Sequence, residues 1–550
     1  MQHANAVGRR GPGPTGPPKT TEHAQTLPNW CSAGPYARDD EPLYTTMTRT
    51  AATHKVYHNA YWHANKWYAL VPPPNMMRPG EQPHADDADP SIPEPTPESE
   101  TGSEPGSGSN STTGTREAGY LEEGLSVNCA LIRLPIKNIT SHTDNMRAGF
   151  LPGTTLLVDF PFPAFPDNLG HWAEIMLPTF SVLADGSWRY DTSGNRSRFV
   201  DRILLPNLRK PGSWAAKQSG RLGIVGVVAP AEYNEMNDWF REVLALAVSP
   251  GVRRGGAPVP PIIDHTDLEA YPKLSWLVIE NLLVIQDRYT HPDRKTGFIG
   301  VDHGDLWRYD GCARYVDQAR LVGFSEQQFA ADFRAAAYKR ANLAPPPQWT
   351  PGSPPPPPVP GSPRFMTLVM AHEDYPPLIN WSALQGLLRQ LGRRLGLEVR
   401  TVTLSTDAPF VSHLDTFARS SVVVARHGPL LATAPLMPPG GAVIELLPYK
   451  WEWLGISKLY YNITQSTGDL HHFAWRPTDH RLAHYDHENY TRYHSWTPEE
   501  CSARECLMVH ARAGLTVDLT ELEAILEEKL PAVVEGRPVD ELRAEWPKAV

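Results

Sequence analysis

From Val56 the chain reads VYHNAYWHANKWYALVP, with aromatic and apolar residues alternating with polar ones at a period of two, which predicts a β-hairpin. Residues 153–160 (GTTLLVDF) predict a buried strand that feeds the segment FPDNLGHWAEIMLPTF. There Asp167 or Asn168 can cap a short helix, with Trp172, Ile175 and Met176 as its apolar stripe until Pro178 ends it. Strand-like and helix-like pieces alternate through 222–228, 237–247 and 275–286, and a helical 326–342 closes the first half. In the second half, 365–370 reads as a strand and 380–395 as a helix with Trp381, Leu384, Leu387, Leu388 and Leu391 on its apolar face. A strand over 397–404, a helix over 409–419 and strands over 421–425 and 442–447 follow. Such alternation predicts an α/β fold with a parallel sheet covered on both faces, whose ligands sit beyond the carboxyl ends of the strands. An amphipathic helix over 516–530, with Leu519, Leu522, Ile525 and Leu526 on its buried face, is expected to pack back onto one domain.

Composition divides these pieces into units. Residues 1–50, rich in Gly, Pro and Thr without a period, read as a disordered stem, and the acidic, Ser/Pro/Gly-rich stretch 82–118 as a disordered insertion. Between the stem and a Pro-rich linker at 346–363 lies an N-terminal domain, 51–345, that carries the insertion within it; a second domain spans 364–490 and a helical tail 491–550. The net charge, 51 − 61 = −10, argues against a nucleic-acid partner. Five cysteines are too scattered for a zinc site, and Cys501 and Cys506 either close a small loop or stay as free thiols. Sequons at Asn110, Asn138, Asn195, Asn380, Asn462 and Asn489 are compatible with the secretory pathway. No run of about 18 apolar residues occurs, and residues 1–16 lack the apolar core of a signal peptide. The tract His471, His472, His480, His484, His487 and His494 is irregularly spaced and reads as a loop of solvated histidines.

Candidate chemistry gathers at strand ends. The apolar strand 421–425 empties into His427-Gly428, where glycine lets backbone amides approach an anion, and the next strand ends on Glu445, which can accept from vicinal hydroxyls. Arg426 and His372 offer positive charge near the same ends, and Asn380 opens the following helix. His171 and Glu174 stand three apart on the first-half helix, so both can face one side. Together these suit the holding of a nucleotide sugar. The candidate Asp-x-Asp pair, Asp87 and Asp89, falls in the acidic insertion, so no catalytic metal is predicted.

The run SVVVARHGPLLATAPLMPPGGAVIEL resembles the most recognisable segment of glycosyltransferase family 61: apolar strand, His-Gly-Ala-Gly-Leu-Thr-Asn, Pro-Pro-Gly, then a strand ending in Glu. His427, Gly428, Leu431, Pro438, Pro439, Gly440 and Glu445 match in order and spacing, while Leu430 replaces the second glycine and Ala432-Thr433 replaces Thr-Asn. NLGHWAEIMLPTF resembles the family's N-terminal motif of an Asn, a His, an acidic residue and Leu-Pro. The resemblance implies two Rossmann-like domains facing a cleft (the GT-B type) and inverting, metal-independent transfer from a UDP-sugar to a glycan or glycoprotein hydroxyl, with no further cofactor. It implies a Golgi or endoplasmic-reticulum lumenal location, with membrane attachment through an N-terminal anchor that this sequence does not show. By the same resemblance Glu174 is the base beside His171, His427 with Gly428 takes the diphosphate and Glu445 the ribose, and Arg426, His372 and Asn380 complete the donor site. Relatives carry arginines near His372 that are missing here, which motivates an alternative: a catalytically degenerate member that binds glycans or acts as a scaffold. A nucleotide-sugar epimerase is a third class, whose usual carboxylate and histidine pattern is not visible.

Overall fold

The computed structural model describes residues 46–51, 54–63, 66–71, 148–158, 169–189, 198–206, 238–285, 323–357 and 363–547, with short breaks in the last three, plus the short strands 32–33, 120–123 and 137–138. The expected strand 222–228, the caps Asp167 and Asn168, and the whole insertion 82–118 lie outside the described residues.

The first half forms one mixed sheet from β1 (Ser32–Ala33), β2 (Thr46–Ala51), β3 (His54–His63), β4 (Lys66–Val71), β5 (Tyr120–Glu123), β6 (Lys137–Asn138), β7 (Ala148–Leu157), β8 (Val200–Leu205), β9 (Ile262–Asp264) and β10 (Trp276–Ile285). Its order is β6-β5-β4-β3-β10-β7-β8-β9, with β1 on β7 and β2 on β3. Strands β10, β7, β8 and β9 run parallel, whereas β3 pairs antiparallel with both β10 and β4, so the aromatic hairpin extends a parallel sheet with an antiparallel wing. Strand β1 and all but the last residue of β2 fall inside the stretch whose composition reads as a stem; pairing with a longer strand gives them the partner that composition cannot reveal.

Helices α1 (Leu169–Asp185), α2 (Asp238–Val248), α3 (His265–Ala270) and α4 (Gln327–Arg340) belong to this half. Contrary to expectation, α1 continues through Pro178 for two more turns. Proline removes one N–H, but the Thr179 hydroxyl donates to the Ile175 carbonyl (2.8 Å) and that of Ser181 to Leu177 (3.0 Å), while Phe180, Val182 and Leu183 are buried beyond it. Apolar residues lie all round α1, as befits a helix with packing partners on several sides. Its Trp172 stacks on Phe240 of α2, with centroids 3.6 Å apart.

The second half is a five-stranded, all-parallel sheet of β11 (Phe365–Ala371), β12 (Glu398–Leu404), β13 (Ser420–Arg426), β14 (Ala442–Leu446) and β15 (His471–Trp475) in the order β12-β11-β13-β14-β15. Helices α5 (Trp381–Leu395), α6 (Phe410–Ala418), α7 (Leu459–Gln465), α8 (Arg504–Arg512) and α9 (Leu519–Glu535) accompany it. The tail helix α9 packs by Leu522, Leu526, Leu530 and Val533 into the core beneath α5, sharing Met366, Leu368, Val422, Val424 and Ile444.

Alternate residues of the same strands face the other way. Val369, Val423 and Val443 join Leu156, Ile203 and Leu283 of the first sheet in one continuous apolar core that includes α1, α2, α4, α6 and the turn of helix Pro429–Leu436. The two halves are thus joined by a filled layer of helices. Polar contacts fix its register: Arg334 of α4 makes a two-pronged ion pair with Asp469 (2.7 and 2.8 Å) and donates through Nε to the Pro435 carbonyl (2.9 Å). The Tyr338 hydroxyl donates to the Leu436 carbonyl (3.0 Å), and the Phe410 N–H to Asp238 (2.9 Å). Burial disfavours the charged Arg334, but Asp469 outweighs it and keeps the guanidinium protonated.

The described part of the Pro-rich segment is docked, not free. Gly352 N–H donates to the Gly536 carbonyl (2.7 Å), and Trp349 and Pro355 press on Gly440, where a Cβ would meet each at 2.9 Å. Gly440 also holds a left-handed φ of +76°, so the Pro-Pro-Gly turn needs glycine on both counts. Replacing Arg334 with alanine strands Asp469 and empties a buried site. We expect a loss on the order of 3 kcal/mol in denaturant-induced unfolding; a loss under about 1 kcal/mol would show that the inter-half layer does not depend on this pair.

Candidate functional site

Taken in chain order the second sheet runs 2-1-3-4-5. The chain therefore changes winding direction between β11 and β13, and the segments leaving these adjacent strands depart to opposite faces. A crevice opens at that point, with a volume of about 450 Å³, within the range of small-molecule sites. His372, Pro376 and Pro377, which follow β11, and Arg426, Gly428 and Leu430, at and after the end of β13, line it, together with Thr401 and Thr403 of β12 and the indole of Trp381. All of its lining residues belong to the second half.

Of the residues expected to act together, His372, Arg426 and Gly428 meet here. His372 is exposed, and its backbone N–H donates to the Leu404 carbonyl (3.1 Å). Arg426 is nearly buried; its Nη2 donates to the carbonyls of Ala511 (2.9 Å) and Ala513 (2.7 Å). Gly428 is extended (φ 168°), a conformation open to any residue, so what it contributes is the absence of a side chain at the crevice wall.

Glu445 lies elsewhere. It is fully buried, accepting from His427 Nδ1 at Oε1 (2.5 Å) and from His472 Nε2 at Oε2 (2.9 Å). The Trp451 indole N–H donates to His427 Nε2 (2.9 Å), which assigns the His427 proton to Nδ1. Burial alone would favour the neutral acid, but the two histidines outweigh it and hold the Glu445 carboxyl down to about 2. Both oxygens thus serve the protein itself. Asn380 is similarly engaged: its side chain donates to the Val517 carbonyl (2.8 Å) and accepts from the Val517 N–H (2.9 Å), tying the start of α5 to the 511–517 segment. His171 and Glu174 are on α1, which packs directly on the 429–436 turn, but their side chains lie outside the described residues.

Three expectations change. His471 and His472 are not solvated loop residues: they open β15 and are buried, His472 as a partner of Glu445. Trp381, expected on the apolar face of its helix, is 43% exposed beside the crevice. Cys506 is disulfide-bonded, which removes the free-thiol alternative for it; its partner lies outside the described residues. Among the described sequons Asn462 is buried, Asn380 is engaged, and Asn489 is exposed. Among the described residues no group of three or more His, Cys, Asp or Glu is placed to hold a metal ion, and no helix is long and apolar enough to cross a membrane.

No protein-family model matches the chain. Over 94 residues it is 32% identical to protein O-linked-mannose beta-1,4-N-acetylglucosaminyltransferase 2 of Tetraodon nigroviridis. This similarity supports a relationship to glycosyltransferases. The aligned part is 17% of this chain and 16% of that protein, so the chain spans about a sixth of the curated relative's length.

Acid should unfold this protein in two stages. Burial lowers His413, His471 and His510 from 6.5 to about 4, and Glu445 falls from 4.5 to about 2 against the pull of its burial. All four have lower folded than unfolded values, so their stabilisation is complete above pH 6.5. It falls as the unfolded histidines take up protons between pH 6.5 and 4, and again as the unfolded carboxyl does so between 4.5 and about 2. At pH 5.5 each histidine costs roughly 1 kcal/mol. Melting curves at constant ionic strength should show Tm dropping from pH 7.5 to 5.5; a flat Tm down to pH 4.5 would contradict these assignments.

Proposed function

We propose that the chain is an inverting, metal-independent glycosyltransferase that moves a sugar from a UDP-sugar to a glycan or glycoprotein hydroxyl, with its two halves arranged in the GT-B manner. The observation that carries this reading is the crevice at the winding reversal of a parallel sheet, rimmed by the His-Gly turn and Arg426, in a chain similar to a glycosyltransferase. In this mechanism Glu174, with His171 beside it, takes the proton of the acceptor hydroxyl as that oxygen attacks the anomeric carbon. The bond from that carbon to the diphosphate oxygen breaks on the opposite side. Arg426, His372 and the backbone at Gly428 neutralise the departing diphosphate. Glu445 acts from behind, as the anion that orients His427 at the base of the turn. The Cys506 disulfide favours a lumenal, oxidising location such as the Golgi or endoplasmic reticulum.

A second reading, a degenerate glycan-binding or scaffold protein, is favoured by one observation: Arg426 and Asn380 already spend hydrogen bonds on the 511–517 segment. Incubating the purified chain with a panel of UDP-sugars, with and without acceptor glycans, separates the two. The transferase reading expects one donor to be consumed, and Glu174→Ala to slow transfer by about a hundredfold or more without changing donor affinity. Unchanged turnover in that variant would remove Glu174 from the mechanism, and binding without consumption of any donor would favour the scaffold.

A further inference from the structure

Trp381 is the first residue of α5, and the period of that helix buries Leu384, Leu387, Leu388 and Leu391, yet the indole is left 43% exposed. Its position is held from behind. Asn380 exchanges two hydrogen bonds with Val517, and the Ile379 N–H donates to the Leu515 carbonyl (2.8 Å), so the ring is presented from a fixed backbone. It lines the crevice with Met370, His372, Thr403, Arg426 and Leu430. These surfaces are aromatic, aliphatic and hydroxyl, and the guanidinium among them already donates to two main-chain carbonyls. A diphosphate calls for several cationic or N–H donors, whereas a flat heterocycle calls for a ring face and one or two hydrogen-bonding groups at its edge.

We propose that the crevice takes the nucleoside end of a nucleotide, with its base stacked on Trp381, the Thr403 hydroxyl at the edge of the base, and the phosphates directed out past Gly428, where His372 and Arg426 border them. This deepens the transferase reading and rests on it. Stacking is the energetic contribution of the ring and Thr403 sets the edge contact, so affinity resides mainly in the nucleoside.

Calorimetric titration of the full chain with uridine, UDP and inorganic pyrophosphate tests this, using Trp381→Ala, Trp381→Phe and Trp381→Leu. Since Trp381 is half exposed, the variants should melt like the parent, and leucine keeps bulk while removing the flat ring should alanine fail to fold. We expect uridine to bind within about tenfold of UDP and pyrophosphate far more weakly, with the alanine and leucine variants losing about tenfold or more for both nucleotide ligands and phenylalanine retaining most of the affinity. If UDP binds but uridine does not, or if the alanine and leucine variants bind both as the parent does, the stacking proposal is overturned while the transferase reading stands. If the parent binds neither UDP nor uridine, both fall.

Discussion

The order of five parallel strands governs what this molecule can offer a ligand. Parallel crossovers are right-handed, so a sheet wound 2-1-3-4-5 must send the chain to one face after β11 and to the other after β13. The gap left between those departures cannot be closed by main chain, and in this protein Ala371, His372 and residues 376–378 border it on one side and Ala425, Arg426 and residues 428–430 on the other. Every side chain considered for donor recognition in the second half gains its meaning from its distance to that gap. His372, Arg426 and Gly428 border it; Glu445, one strand further along, does not.

What surrounds the gap is held stiffly. Beneath the His-Gly turn a fully buried carboxylate receives one imidazole N–H on each oxygen, and a tryptophan N–H closes the far side of one of those rings. Behind the opposite wall, the 511–517 segment hydrogen-bonds Arg426, Pro377, Ile379 and Asn380. The turn after Gly428 packs on α1, so the element carrying His171 and Glu174 is fixed against the same loop. A preformed site of this kind spends little of its binding energy on ordering itself.

Much of the second half could be read from periodicity, because β11, β13 and β14 are short apolar runs and α5 shows a clean stripe. Strand order could not, since it depends on which crossover packs on which face, and so the crevice itself was invisible. Pro178 misled for a local reason: the helix survives its lost N–H because tertiary burial and two neighbouring hydroxyls support it. The histidine pair was hidden because His471 and His472 precede only three further strand residues, too few to display alternation, although His472 on β15 lies one strand from Glu445. Trp381 was counted with its helix because its spacing fits the stripe; only its place in the first turn, beside the reversal, takes it out of the core. The matched Pro-Pro-Gly has a structural cause of its own in the docking of Trp349 and Pro355 on Gly440, so not every residue of a recognisable motif touches a ligand.

The central claim is one of location, that a nucleotide occupies the crevice at the winding reversal. Hydrogen–deuterium exchange of the full chain with and without saturating UDP reads this directly. Slowed exchange confined to peptides covering 371–381 and 426–431 is the predicted result; protection at a distant surface, with these peptides unchanged, would contradict the account.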